Sequence, residues 1–177
     1  MHMDKETIKL ICLYGPESTG KSTLAKRLAA HYQTEFVPEV AREIIESNQF
    51  TVEDIIRIGR AQTDRILEKL KTAHRVLFCD TDVITTAIYS DVYLHTIPPE
   101  LEKLEQIVHY DQYLLFDVDV PWVADGLRDL HDSRVEVFER FKVELERRKI
   151  SYILISGDYE NREKQVIAIT DRMLAIS

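Results

Sequence analysis

The chain has 177 residues and a formal net charge of −8, with 45% hydrophobic and 31% charged side chains. This length supports one well-buried core, so residues 1–177 are read as a single domain. The acidic balance excludes a general nucleic-acid-binding surface, which needs a basic stripe. No stretch approaches the ~20 apolar residues of a membrane helix, and the first six residues lack the apolar core of a secretory signal. Cys12 and Cys79 each sit inside an apolar, strand-like run and read as buried thiols, which places the chain in the cytoplasm.

The first element is an apolar run of strand length, Ile8 to Tyr14. It leads into Gly15-Pro16-Glu17-Ser18-Thr19-Gly20-Lys21-Ser22, which fits G-x-x-x-x-G-K-[ST], the phosphate-binding loop. Thr23 to His31 has helix-forming composition, with Leu24, Leu28 and His31 along one face. Strand, glycine loop and helix is the context the motif requires. Gly15 and Gly20 let the backbone curl so that N–H groups converge on phosphate oxygens. The helix N-terminus adds its own open donors. Glu17, Ser18, Thr19 and Thr23 line the same cradle. Lys21 is placed to reach the β- and γ-phosphates of ATP, and Ser22 to hold a magnesium ion.

Thr34 to Pro38 reads as a short second strand, followed by a helix over Glu39–Glu46 and a longer one over about 52–72. Arg75 to Asp80 is an unbroken apolar run ending in an acid, as in a central parallel strand. Helices follow over Asp82–Tyr93 and about Glu100–Tyr110. Tyr113–Asp117 is a fourth strand and Ser151–Ser156 a fifth, with a charged helix, Arg134–Arg148, between them and a last helix over Asn161–Ile176. Alternating strands and helices imply a five-stranded, mainly parallel α/β sheet covered on both faces. Functional side chains are then expected beyond the carboxyl ends of the strands.

Glu39, Asp80 and Asp117 occupy such ends. Asp80 is the first candidate for the acid that holds magnesium, with Asp82 second; Asp82 also fits a helix N-cap. Glu39, three residues before Arg42, is placed to accept a proton from an incoming hydroxyl, or simply to pair with that arginine. The polar stretch from about 123 to 134 carries Arg128 and Arg134 and reads as a lid that closes over ATP. Tyr159 and Arg162, after the fifth strand, are placed to border the adenine.

Together these blocks resemble the ribosylnicotinamide kinase domain of the bacterial NadR type, itself similar to nucleoside and nucleotide monophosphate kinases. The resemblance rests on the phosphate loop, Glu39 with Arg42-Glu43, Asp80-Thr81-Asp82-Val83-Ile84-Thr85-Thr86, Pro121-Trp122-Val123-Ala124-Asp125-Gly126-Leu127-Arg128, and Tyr159 with Arg162. It implies transfer of the ATP γ-phosphate to the 5′-hydroxyl of a nucleoside, forming nicotinamide mononucleotide. It further implies that Lys21 and Ser22 serve ATP-magnesium, with Glu39, Asp80 or Asp82 near the magnesium and the ribose and Arg128 in the lid. Only the kinase step is implied, because no adenylyltransferase or DNA-binding segment is recognisable. Where such proteins tend to carry a tryptophan directly before the first-helix glutamate, this chain has Pro38. Two other readings of the loop are a nucleotide-binding regulatory module with weak ATPase activity and a kinase of another nucleoside or nucleotide monophosphate.

Overall fold

The computed structural model describes residues 7–123 and 130–176. In chain order the elements are β1 (Lys9–Tyr14), α1 (Lys21–Tyr32), β2 (Phe36–Val37), α2 (Ala41–Ile44), α3 (Val52–Lys69), β3 (Val76–Asp80), α4 (Val83–Leu94), α5 (Pro99–Glu105), β4 (Gln112–Phe116), α6 (Arg134–Arg147), β5 (Tyr152–Ile155) and α7 (Tyr159–Ile176). A single 3-10 turn, His131–Ser133, leads into α6. The strands form one sheet in the order β2-β3-β1-β4-β5, and every pair is parallel.

Side-chain alternation along β1 builds both layers of the core. Ile11 and Leu13 point to the face covered by Leu24, Ala25 and Leu28 of α1 and Val166 and Ile169 of α7. Cys12 and Tyr14 point to the other, against Ile84 and Ile88 of α4 and Phe141 and Leu145 of α6. The Tyr14 hydroxyl donates to the carbonyl of Phe141 at 2.8 Å, which gives this buried phenol a partner and pins the end of β1 to α6. The apolar face of α1 is completed by Ala25 and Ala29, whereas His31, expected on that face, is exposed.

Two expected helices are shorter than their composition indicates. The one beginning at Glu39 is a single turn, because Ile45 is already extended (φ −113°, ψ 137°), and Glu39 lies just ahead of it. The one expected to reach Tyr110 stops at Glu105. Tyr110 packs instead against Tyr113 with ring centroids 5.1 Å apart.

α3 starts at a complete capping box. The Thr51 side chain accepts from the Asp54 N–H at 3.2 Å, and the Asp54 carboxylate accepts from the Thr51 N–H at 2.9 Å. Thr51→Ala removes half of it and is expected to cost about 1 kcal/mol, seen as a lowered thermal midpoint with an unchanged circular-dichroism spectrum.

Candidate functional site

The chain leaves β1 towards β2 on one side of the sheet and leaves β3 towards β4 on the other. A crevice therefore opens between the carboxyl ends of β1 and β3. Register sets its width: Leu13 lies opposite Asp80, so the phosphate loop and the β3 acid emerge at the same level.

Both loop glycines are sterically required. Gly15 has φ 139°, and a Cβ there would lie 2.9 Å from the Phe116 carbonyl oxygen. Gly20 has φ 86°, and its Cβ would lie 2.7 Å from the Tyr159 ring. Gly20 is also the N-cap of α1 and no side chain caps that helix, so its first N–H groups remain open to an anion. Lys21 is folded over the loop, its Nζ donating to the Pro16 carbonyl at 2.5 Å and to Thr19 Oγ1 at 3.1 Å. Glu17 to Thr23, with Glu39, Arg42, Asp80 and Tyr159, line one cavity of about 230 Å³.

Asp80 is 1% exposed, and its Oδ2 accepts the Ser22 hydroxyl at 2.6 Å. Its Oδ1 is equally buried and has no hydrogen-bond partner. Burial, and then the negative charge of Glu39, push its pKa up to about 6 against the opposing pull of Lys21 and Ser22. Glu39 is 7% exposed and accepts from Arg42 Nε at 3.3 Å.

Thr81 separates the two aspartates with a left-handed backbone (φ 73°), a conformation a β-branched residue rarely adopts. Beyond it Asp82 turns away from the loop. Its Oδ1 accepts the Thr85 N–H at 2.9 Å and the Thr85 hydroxyl at 3.0 Å, and its Oδ2 accepts the Tyr113 hydroxyl at 2.7 Å. With both oxygens engaged in capping α4 and tying it to β4, Asp82 is absent from the cavity lining that contains Asp80. Asp82, the second candidate for the magnesium acid, therefore does not join Asp80 and Ser22 in that cavity.

The arginines are differently employed from the sequence expectation. Arg162 is 1% exposed and donates to the carbonyls of Gly157 (2.7 Å), Thr19 (3.3 Å) and Asp117 (3.1 Å), besides pairing with Asp119. It clamps the phosphate loop to the ends of β4 and β5, leaving no freedom to swing onto a base. One edge of it nevertheless lines a second cavity of about 480 Å³, together with Thr19, Gly20, Leu24, Phe116 and Tyr159. Arg134 donates to the carbonyls of Val120 (2.6 Å) and Ser18 (3.0 Å), and so braces the loop rather than standing free as part of a lid. Arg128 lies outside the described residues.

Sequence reasoning missed the ties from the loop to its surroundings. Ser18 Oγ accepts the Val123 N–H at 2.6 Å and donates to the Val123 carbonyl at 3.1 Å, while Glu17 accepts the Leu130 N–H at 3.2 Å. These residues occupy unspecified positions of the motif, where no pattern signals a role. A third cavity, also missed, lies between α2, α3 and α4 and has Glu39 among its lining residues.

A phosphate cradle and strand-end acid on an all-parallel sheet define a P-loop kinase-type fold. Residues 10–162 match the family model described as an AAA domain, and the chain belongs to that family. It is 30% identical, over 94% of its length, to the trifunctional NAD biosynthesis/regulator protein NadR of Salmonella typhimurium, and 32% identical over 94% to that of Escherichia coli. It spans 43% of each of those relatives, less than half their length. Among solved structures, a NadR protein in complex with NR superposes with a TM-score of 0.77 at 23% identity, over 93% of this chain and 51% of that one. A deoxyadenosine kinase from M. mycoides superposes with a TM-score of 0.68 at 10% identity, over 92% and 99% of the two chains.

The raised pKa of Asp80 has a stability consequence. A carboxyl held above its ordinary 3.8 favours the fold while protonated, and that contribution is lost as pH rises from about 4 through 6. Asp80→Asn is therefore expected to raise the thermal midpoint of the nucleotide-free protein at pH 7. The gain should vanish near pH 4, as read from melts at the two pH values.

Proposed function

We propose that this chain transfers the γ-phosphate of ATP to the 5′-hydroxyl of a nucleoside, with ribosylnicotinamide as the acceptor and nicotinamide mononucleotide as the product. The observation that carries the reading is the position of Glu39. It lines both the 230 Å³ phosphate-loop cavity and the separate pocket between α2, α3 and α4. A carboxylate shared by a donor cavity and an acceptor pocket stands where a hydroxyl must lose its proton as it attacks phosphorus. The similarity to NadR along 94% of the chain supports the choice of acceptor.

In this reading the open N–H groups at Gly20–Ser22 and the Lys21 ammonium take the phosphate charge, and the 480 Å³ cavity beside Tyr159 and Phe116 takes the adenine. Glu39 accepts the proton of the acceptor hydroxyl, whose oxygen forms the new P–O bond as the bond to the β,γ-bridging oxygen breaks. Arg42, whose Nε lies 3.3 Å from the Glu39 carboxylate, orients it. The unpartnered Asp80 Oδ1 and the adjacent Ser22 hydroxyl are hard oxygen donors that fit a magnesium ion. That ion, when bound with ATP, would neutralise charge on the β- and γ-phosphates. Among the described residues no cluster of three or more His, Cys, Asp or Glu side chains forms a metal cage. That fits an ion held mainly by phosphate oxygens and water. We place the reaction in the cytoplasm, where the buried free thiols Cys12 and Cys79 stay reduced, and take residues 1–177 as one kinase unit.

Incubation with ATP, magnesium and a panel of nucleosides should give a phosphorylated product from ribosylnicotinamide. ATP hydrolysis that no nucleoside stimulates would overturn the proposal in favour of a regulatory module. Glu39→Gln is expected to lower kcat by roughly 10²–10⁴-fold with ATP binding retained. Lys21→Ala should lose on the order of 10²-fold or more in kcat/KM while the melting curve stays cooperative. Near-native turnover in either variant would reject its assigned role.

A further inference from the structure

Gln62 sits on α3 and is 2% exposed. Its Oε1 accepts the Val40 N–H at 3.0 Å. A backbone N–H can only donate, so this bond fixes which end of the amide is oxygen and which is nitrogen. The Nε2 group is left buried with no hydrogen-bond partner. Buried amide donors are almost always paired, and one held unpaired in a pocket wall marks a place where a ligand supplies the missing acceptor.

The surroundings define that ligand. Gln62 lines the same pocket as Glu39, and three aromatic residues, Phe50, Tyr89 and Tyr93, stand in its wall among aliphatic and threonine side chains. Tyr89 and Tyr93 lie nearly parallel, with centroids 6.3 Å apart and 28° between planes, and Phe50 meets Tyr93 edge-on at 5.5 Å. Planar walls of this kind suit a flat ring. The pocket holds only about 30 Å³ as it stands, and part of its wall is Ile45 and Asn48 in the irregular stretch after α2. A ring needs more room than this, which that part of the wall would have to give.

We propose that Gln62 is the specificity-determining donor for the phosphate acceptor. Its Nε2 hydrogen-bonds a carbonyl oxygen on a planar base, which in ribosylnicotinamide is the carboxamide oxygen. This rests on the kinase reading above and names the group that selects its substrate. A site built to satisfy a buried polar group discriminates strongly against an analogue that lacks the partner, because the group is then left unpaired. The aromatic wall accounts for how a chain with Pro38 in place of a tryptophan still offers the ring a flat surface.

The test compares ribosylnicotinamide with the pyridine riboside lacking the carboxamide, in the full chain and in Gln62→Glu. Glutamate keeps an oxygen for the Val40 N–H and replaces the donor by an acceptor. The unaltered protein should favour ribosylnicotinamide by about tenfold or more in kcat/KM. Gln62→Glu should raise KM for ribosylnicotinamide by a similar factor, hold KM for ATP, and lose the discrimination between the two ribosides. Gln62→Met, of similar length and without a donor, should behave alike and serves if the glutamate variant melts early. Discrimination that survives in a folded variant overturns this inference and leaves the kinase intact. Failure of the unaltered protein to phosphorylate any nucleoside removes both.

Discussion

The parallel pairing of β1 with β3 is the constraint on which the site depends. It sets Leu13 against Asp80, so the phosphate loop and the strand-end carboxylate leave the sheet side by side. The Ser22–Asp80 hydrogen bond then spans the crevice at 2.6 Å. A one-residue slip would carry Asp80 to the opposite face and remove the partner of Ser22. The two-faced core enforces the register, since Ile11 and Leu13 pack under α1 and α7 while Cys12 and Tyr14 pack under α4 and α6. The geometry of the site is thus held by apolar packing several residues away from it.

The loop itself is braced from three directions. Arg162 ties its Thr19 carbonyl to the ends of β4 and β5, Arg134 ties its Ser18 carbonyl to Val120, and Ser18 bonds Val123 through both its hydroxyl roles. Two buried or half-buried arginines serving backbone carbonyls are a structural use of residues whose charge invites a catalytic one. Their guanidiniums supply several donors in a rigid fork, which matches the outward-facing carbonyls of a loop whose N–H groups are reserved for an anion. Within the described residues, the basic side chains that line the phosphate-loop cavity are Lys21 and Arg42.

How much of this was legible in the sequence follows from where the information is local. Glycine loop, strand ends and helix order are short-range patterns, and they located Lys21, Ser22, Glu39 and Asp80 around one crevice. That Asp82 fits the N-cap of α4 was legible, but its turn away from the loop was not, because that depends on the left-handed backbone at Thr81, which a threonine does not advertise. The partners of Arg162 and Arg134 lie more than forty residues away for Asp117 and more than a hundred for Thr19 and Ser18, beyond the reach of any periodicity. Gln62 went unnoticed for the same reason. On α3 it reads as one polar position among many, and only the tertiary contact with Val40 shows that half of its amide is committed and half is waiting.

The folded-back Lys21 has a thermodynamic implication of its own. Its ammonium already donates to the Pro16 carbonyl and the Thr19 hydroxyl, so at the lysine the chain's own oxygens stand in for those of an anion. An entering anion must displace that internal surrogate before it gains the lysine. A lone inorganic phosphate has few other contacts with which to offset the exchange, whereas a nucleoside triphosphate brings an adenine and two further phosphoryl groups. The exchange weakens every anion by the same factor, so the self-bound lysine sets an absolute affinity threshold, which a ligand with many further contacts exceeds most easily.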